Sequence, residues 1–200
     1  MDIGRRRALI AAAGLVLVGA IAVLAVAMQR GVGGDGSGRA DAGGKTMPPF
    51  TLQQFDGTTF AAADHASGPV FVYFWASWCI PCQQEAPVIQ KVWPEYRDRG
   101  YTFIGVDIWD AESDARRFIR EHGLDFPLAP DTDRAVYVDY GVAALPAAFF
   151  LEPGLRAKTR YQGPLDEQTL RSLLDELAPQ TQPAPRAHAV RSTSRSPVPT

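Results

Sequence analysis

Two cysteines three positions apart are the residues of this chain best suited to chemistry. Cys79 and Cys82 are its only cysteines, within the run Trp78-Cys79-Ile80-Pro81-Cys82. A thiolate attacks a disulfide sulfur, and a nearby second thiol can resolve the mixed disulfide that forms. Cys79 lies where an apolar run meets a helical segment, and the free N–H groups of a helix start stabilise a thiolate. The pattern predicts thiol–disulfide exchange, with Cys79 attacking and Cys82 resolving.

Zinc sites, haem attachment sites and structural disulfides also use closely spaced cysteines. Zinc needs further Cys or His ligands, and His65, His122 and His188 lie far from the pair in sequence. Haem attachment needs a histidine where Gln83 follows Cys82. A disulfide that closes so short a loop constrains little of the unfolded chain. We therefore expect redox exchange, with no metal and no other cofactor.

Composition and charge favour one globular domain. Of the 200 residues, 46% are hydrophobic and 21% are charged, and the formal net charge is -2. A chain with this net charge lacks the excess of positive charge that attracts the phosphates of a nucleic acid. A nucleic acid partner is not expected.

An apolar run near the N-terminus predicts a membrane segment. Residues 8–28 carry no charge, and about 20 apolar residues suffice to cross a bilayer. The preceding Arg5-Arg6-Arg7 favours a cytoplasmic N-terminus. Ala25-Val26-Ala27 could be a cleavage site, but the run is longer than a usual signal-peptide core. We expect residues 1–28 to form a membrane anchor or uncleaved signal, with the catalytic domain on the extracytoplasmic side, periplasmic or at the cell surface.

Composition divides the remainder into three parts. Residues 29–47 contain seven glycines, which predicts a flexible linker. Residues 48–178 have the patterning of a compact domain. Residues 179–200 are rich in Pro, Ser, Thr and Arg, with almost no large apolar residue, and predict a disordered tail.

Residues 48–178 are predicted to alternate between strands and helices. Asp56-Gly57 between apolar and β-branched residues indicates a hairpin over 50–60. Continuous apolar runs are typical of strands buried on both faces. The order predicts an α/β fold with a mixed central sheet flanked by helices. The remaining predicted strands are 70–75, 102–108, 147–151 and 156–161, and the helices are 83–97, 111–122 (ending at Gly123), 133–140 and 166–177, the last capped by Asp166.

Two segments resemble the TlpA/ResA group of the thioredoxin superfamily. They are VFVYFWASWCIPCQQEAP at 70–87 and YGVAALPAAFFL at 140–151. The resemblance covers residues 48–177 and implies a thioredoxin-like fold with an N-terminal hairpin and an inserted strand–helix unit. It also implies a tethered reductase of disulfides in exported proteins, such as apocytochrome c, that is itself reduced by a membrane thiol-reductase.

The resemblance further implies a substrate surface. Pro146 matches the proline that is cis in thioredoxin-like proteins, and Leu145 before it would offer its backbone to an extended substrate. Trp78, Ile80 and Pro81 would border the substrate around Cys79. Ala144 replaces a glycine usual in the group and Ala147-Ala148 replace threonines, so this loop is where we expect the chain to differ.

Glu85 matches an acidic position of the group, one helical turn after Cys82. Tyr73 stands where thioredoxin carries a buried aspartate, so Glu85 is the expected proton-handling group of the cysteine pair. The alternative is an ordinary surface carboxylate that favours the first turn of a helix.

Other activities remain as alternatives. A disulfide-introducing oxidant uses the same residues, and only the reduction potential separates it from a reductase. A peroxiredoxin-like peroxidase needs a threonine three residues before its nucleophile, where this chain has Ala76. A copper-delivery module would want three residues between the cysteines. A non-catalytic interaction module would not need Cys79, Cys82 and Pro146 together.

Overall fold

The computed structural model describes residues 38–177, together with the isolated residues 14, 16, 17, 19 and 22. The predicted membrane anchor and the predicted tail at 179–200 lie outside residues 38–177. Among the residues that are described, no helix is both long and apolar enough to cross a bilayer.

A six-stranded mixed sheet forms the centre of the domain, as predicted. Its strand order is β1-β8-β7-β4-β5-β6, and β2 and β3 form a separate hairpin. The β4–β5 and β5–β6 pairs are parallel and the other pairs are antiparallel. The strands are β1 Gly38–Asp41, β2 Thr51–Gln53, β3 Thr59–Ala61, β4 Val70–Trp75, β5 Thr102–Asp107, β6 Leu128–Pro130, β7 Ala147–Glu152 and β8 Arg156–Gln162.

Helices cover both faces of this sheet. Helices α1, α2 and α4 pack on one face, while α3 and the β2–β3 hairpin pack on the other. Gly123 ends α2 in the left-handed conformation, with φ 59°, and the Asp166 side chain accepts the Thr169 N–H at the start of α4. The helices are α1 Ile80–Asp98, α2 Glu112–His122, α3 Ala135–Asp139 and α4 Glu167–Asp175.

Strand β4 is buried along its whole length, as its apolar run predicted. It lies between β7 and β5, so both of its edges are hydrogen-bonded. The Trp75 ring stacks on Phe118 of α2, with ring centroids 4.6 Å apart. Gly105 of β5 leaves room for that ring, because a Cβ there would lie 3.0 Å from the indole nitrogen of Trp75. The strand that leads into the cysteines is therefore anchored in the core.

The end of the expected linker differs from a free coil. Gly38–Asp41 pairs with β8, and the Arg39 guanidinium makes two hydrogen bonds, of 2.7 and 2.6 Å, with the Glu176 carboxylate. Met47 is buried in the core. Cross-strand hydrogen bonds and this ion pair order a segment whose glycines alone favour disorder. Residues 38–41 of the expected linker thus belong to the central sheet.

The sheet register places the start of β1 at the end that carries the cysteines. Gly38 lies opposite Gln162, Gln162 opposite Ala147, and Ala147 opposite Phe74. At about 4.8 Å per strand, Gly38 is about 14 Å across the sheet from Phe74. The chain therefore enters the domain at the end of the sheet from which the cysteine motif leaves β4.

Candidate active site

The cysteine pair lies at the junction of β4 and α1. Cys79 is the N-cap of α1 and forms a disulfide with Cys82, and the Cys82 N–H lies 3.2 Å from the Cys79 sulfur. Cys79 retains 4% of its surface, whereas Cys82 has none. A partner sulfur can therefore reach Cys79 directly, and Cys82 only through Cys79. The helix-start position predicted for Cys79 is confirmed.

The turn before Cys79 is held by a carboxylate that sequence reasoning missed. Asp110 accepts the Ser77 hydroxyl at 2.8 Å and also the Ser77 N–H. On the other side, the Gln83 side-chain amide donates to the Ser77 carbonyl at 2.8 Å. These bonds join the cysteine motif to the loop that starts α2. They fix the backbone that leads into the nucleophile.

Asp107, behind that turn, is a second acid that sequence reasoning missed. It ends β5 beside Trp75, it is 3% exposed, and its Oδ1 has no hydrogen-bond partner in the described chain. Burial, followed by the negative charge of Asp110, raises its pKa to about 8. The position of Asp107 in sequence could have indicated a role in the site, because functional groups of parallel sheets lie at the carboxyl ends of the strands and Asp107 lies near the carboxyl end of a predicted strand.

Glu85 is buried beneath the cysteines, so the interpretation as a surface carboxylate is wrong. It is 2% exposed, one turn after Cys82 on α1, and its Oε2 accepts the Leu165 N–H at 2.6 Å. Burial raises its pKa to about 8, although the Leu165 N–H and the Tyr73 hydroxyl oppose that rise. At neutral pH the carboxyl is therefore mostly protonated.

Tyr73 is the polar neighbour of Glu85. The Tyr73 hydroxyl and Glu85 Oε1 are both buried, and neither meets strict hydrogen-bond geometry with any group of the described chain. Burial, and then the nearby carboxylate, raises the pKa of Tyr73 well above 10. Each group therefore shifts the pKa of the other, since both are buried side by side.

The Leu145–Pro146 loop lies against the same end of the sheet. Its peptide bond is cis, as the family resemblance implied. The Gln162 side-chain amide donates to the carbonyls of Ala144 and Pro146, both at 2.8 Å. The backbone N–H and carbonyl of Leu145 make no hydrogen bond within residues 38–177. They are available to an extended partner strand.

The alanines that replace the usual threonines have a packing role. Ala147 and Ala148 are 1% and 2% exposed and contribute to opposite faces of the sheet. A hydroxyl at either position would be buried in an apolar core, where it needs a hydrogen-bond partner.

An apolar cleft of about 430 Å³ joins the two parts of the site. None of its lining residues is charged, and five of them were not among the predicted site residues: Ile108, Trp109, Tyr137, Ala143 and Ala144. A larger depression, of about 600 Å³, lies between the β2–β3 hairpin and α2 and contains none of the predicted site residues. We assign the site to the smaller cleft because Cys79, the accessible cysteine of the pair, lines it. Its lining consists of Trp78, Cys79, Ile80, Pro81, Ile108, Trp109, Tyr137, Ala143, Ala144 and Leu145.

Comparison with protein families and curated proteins gives a consistent match. The model of the AhpC/TSA family matches residues 43–157. The thiol-disulfide oxidoreductase ResA of Oceanobacillus iheyensis is 31% identical over 141 residues, which cover 68% of this chain and 73% of that protein. ResA of Geobacillus thermodenitrificans is 29% identical over 136 residues, covering 68% and 78%.

Solved structures agree with the fold. The structure of MTB DsbF is 29% identical, with a TM-score of 0.60, covering 66% of this chain and 99% of that chain. A thiol:disulfide interchange protein from Chlorobium tepidum TLS is 24% identical with a TM-score of 0.61, covering 69% and 99%. At 24% identity, the similarity to the Chlorobium tepidum structure supports the fold alone.

Proposed function

The chain belongs to the AhpC/TSA family and is a thiol-disulfide oxidoreductase, and we propose that it reduces disulfides of exported proteins while tethered to the cytoplasmic membrane. The observation that carries the proposal is the placement of Cys79. Its sulfur caps α1 and borders an apolar cleft, while Cys82 and the protonated Glu85 lie behind it. This arrangement combines an accessible nucleophile, a shielded resolving thiol and an internal acid.

The reaction transfers two electrons to the substrate. The Cys79 thiolate attacks one sulfur of the substrate disulfide, which forms a mixed disulfide and releases the other substrate sulfur as a thiolate. Cys82 then loses its proton and attacks Cys79 Sγ, so the second substrate sulfur leaves and the Cys79–Cys82 disulfide forms. The substrate takes up two protons and becomes a dithiol. A membrane thiol-reductase completes the cycle, because its own dithiol is oxidised as the disulfide of this protein is reduced.

Glu85 supplies and accepts protons inside this site. With a pKa near 8 it is mostly protonated at neutral pH and can donate to a leaving sulfur. The Leu165 N–H keeps the carboxyl in place between α1 and the start of α4. After the transfer, the carboxylate can take the proton that Cys82 releases.

The anchor would keep the disulfide close to the membrane. Nine residues, 29–37, separate the apolar run from Gly38, and at about 3.4 Å each they span at most roughly 30 Å. Gly38 pairs with Gln162 at the end of the sheet that carries the cysteines, so that end would lie nearest the bilayer. An electron donor embedded in the membrane could then reach Cys79.

Protease accessibility tests this topology. Protease added to spheroplasts should digest residues 48–178, alongside an exported control protein. Protection of the domain while the control is digested would place it on the cytoplasmic side.

The direction of electron flow is tested by the reduction potential. Equilibration of the Cys79–Cys82 pair with defined ratios of reduced and oxidised dithiothreitol should give a value below roughly -220 mV, as a reductase requires. A value near roughly -120 mV, typical of a strong oxidant, would support the oxidant instead. Apocytochrome c peptides that contain a disulfide are the first substrates to assay.

Peroxidase activity is the weaker alternative. Ala76 is fully buried three residues before Cys79 and offers no hydroxyl to a peroxide. Hydrogen peroxide consumption by the reduced protein should stay at the rate of a free dithiol.

A further inference from the structure

The exposed large apolar side chains of the folded domain gather at its disulfide end. Within residues 38–177 they are Trp78, Ile80, Trp109 and Val138. Trp78 and Ile80 flank Cys79, Trp109 follows β5, and Val138 lies on α3 next to Tyr137. Scattered apolar residues are ordinary on a protein surface, but a contiguous set beside a reactive group marks a binding site.

Trp109 adopts a backbone conformation that its own packing does not explain. Its φ is 57°, in the left-handed region that large side chains avoid. The residue is nonetheless 53% exposed, so burial does not offset that strain. Strained residues that persist in a fold are concentrated at binding and catalytic sites.

Two contacts hold Trp109 as one wall of the cleft. Its carbonyl accepts the indole N–H of Trp78 at 3.1 Å. Its ring lies against Tyr137, with centroids 4.9 Å apart and planes tilted by 53°. Because this hydrogen bond joins Trp109 to the residue that precedes Cys79, it fixes the position of the wall relative to the nucleophile.

We infer that Trp109, together with Trp78 and Tyr137, selects substrates that carry a large apolar side chain next to the cysteine under attack. The inference rests on the proposed reductase function and defines its substrate class. The occupant of the cleft is one aromatic or branched aliphatic side chain of a disulfide-containing polypeptide, and Trp109 determines the specificity.

The properties of the cleft match that occupant. Its rim includes both Cys79 and Leu145, so a strand that pairs with the free Leu145 backbone would direct a neighbouring side chain into it. A volume of about 430 Å³ admits one large side chain. A charged side chain would lose its hydration there without gaining a partner, because no lining residue is charged.

The test uses synthetic peptides with one disulfide, identical except that Phe, Leu, Ser or Asp follows the attacked cysteine. The reduced full-length protein is mixed with each peptide, and each second-order rate constant is divided by that for a small aromatic disulfide. The wild type should favour Phe and Leu over Ser and Asp by about ten-fold to a hundred-fold, the range expected for burying one such side chain. Trp109→Ala should reduce this preference to less than about three-fold.

Three further variants separate selection from folding. Trp109→Phe should retain the preference because it keeps an aromatic wall. Trp109→Gly should lose it as well, although glycine adopts the left-handed backbone conformation without strain and so favours the native loop. Glu121→Gln changes an exposed carboxyl of α2 that does not line the cleft, and it should behave as the wild type. Equal rates for all peptides with the wild type, or an unchanged preference in Trp109→Ala and Trp109→Gly, would overturn the inference. Failure to reduce even the small disulfide would instead refute the reductase function.

Discussion

The carboxyl of Glu85 accepts a hydrogen bond from the backbone N–H of Leu165 at 2.6 Å, although the two residues are eighty positions apart in sequence. This bond ties the first turns of α1 to the loop that begins α4. Glu85 is thereby held in the interior, one turn behind Cys82, where burial keeps it protonated near neutral pH. A single carboxyl is thus positioned to exchange protons with the cysteine pair.

Glu85→Gln should alter the pH dependence of catalysis. Glutamine keeps the shape and can still accept the Leu165 N–H, but it has no proton to exchange. We expect substrate reduction to slow by about ten-fold to a few hundred-fold, which is within or below the range of general acid–base groups. Removal of a carboxylate near the thiols should also lower the apparent thiol pKa.

The measurement is a pH series of Cys79 alkylation and of substrate reduction. The wild type should show an inflection near pH 8 that Glu85→Gln lacks. Superimposable profiles for the two proteins would show that Glu85 does not handle protons for the pair.

The stability of the oxidised protein should fall as the pH rises from 5 to 9. The folded-state pKa values of Glu85 and Asp107, about 8 each, lie above ordinary carboxyl values. The folded state therefore retains protons that the unfolded chain releases, and stability is lost as the pH approaches and passes 8. Urea unfolding at several pH values measures the effect.

A glutamine at position 85 should flatten this decline. At pH 9, Glu85→Gln should be more stable than the wild type by up to roughly 5 kcal/mol, since the pKa of Glu85 is raised from 4.5 to about 8 and each unit corresponds to about 1.4 kcal/mol. Glu121→Gln, which changes a carboxyl that is 64% exposed, is the matched control and should follow the wild type. Wild-type stability that rises steadily from pH 5 to 9 would contradict both assignments.

Asp110→Ala should loosen the turn before the nucleophile. The change leaves the partly buried N–H and hydroxyl of Ser77 without their acceptor, which costs about 1–3 kcal/mol. Asp98→Ala, which removes a carboxylate that is 71% exposed, should cost much less. An Asp110 variant as stable as the Asp98 variant would show that the turn does not depend on this carboxylate.

Asp110→Asn offers a second test of the same cluster. The negative charge of Asp110 helps to raise the pKa of Asp107, so its removal should lower that pKa. Carbon NMR titration of the aspartate carboxyls would follow the change. An Asp107 pKa that does not move would mean that burial alone sets it.

The features predicted from sequence were those that depend on local pattern. The strand over residues 70–75 and the helix start at Cys79 follow from an apolar run beside a helical segment. Gly123 and Asp166 act as helix caps, as their residue types predicted. Each depends on residues a few positions apart, which is the range over which propensity and capping rules apply.

The features that were missed depend on contacts between distant segments. Strand β1 is stabilised by β8, more than a hundred residues later, and its Gly-Arg-Ala-Asp sequence carries little strand propensity. Asp110 is joined to Ser77 across thirty-three positions. The burial of Glu85 likewise ran against the ordinary surface preference of glutamate. Such partners can be identified only once the fold has placed them together.

Trapping of mixed disulfides is the most direct test of the central claim, that Cys79 attacks the substrate and Cys82 resolves the product. Of the two cysteines, only Cys79 retains accessible surface, so it is the one that a partner sulfur can reach first. Cys82→Ala should accumulate mixed disulfides with partner proteins, visible on non-reducing gels and identified by mass spectrometry, while Cys79→Ala should trap none. Equal trapping by the two variants, or trapping by Cys79→Ala alone, would contradict the account.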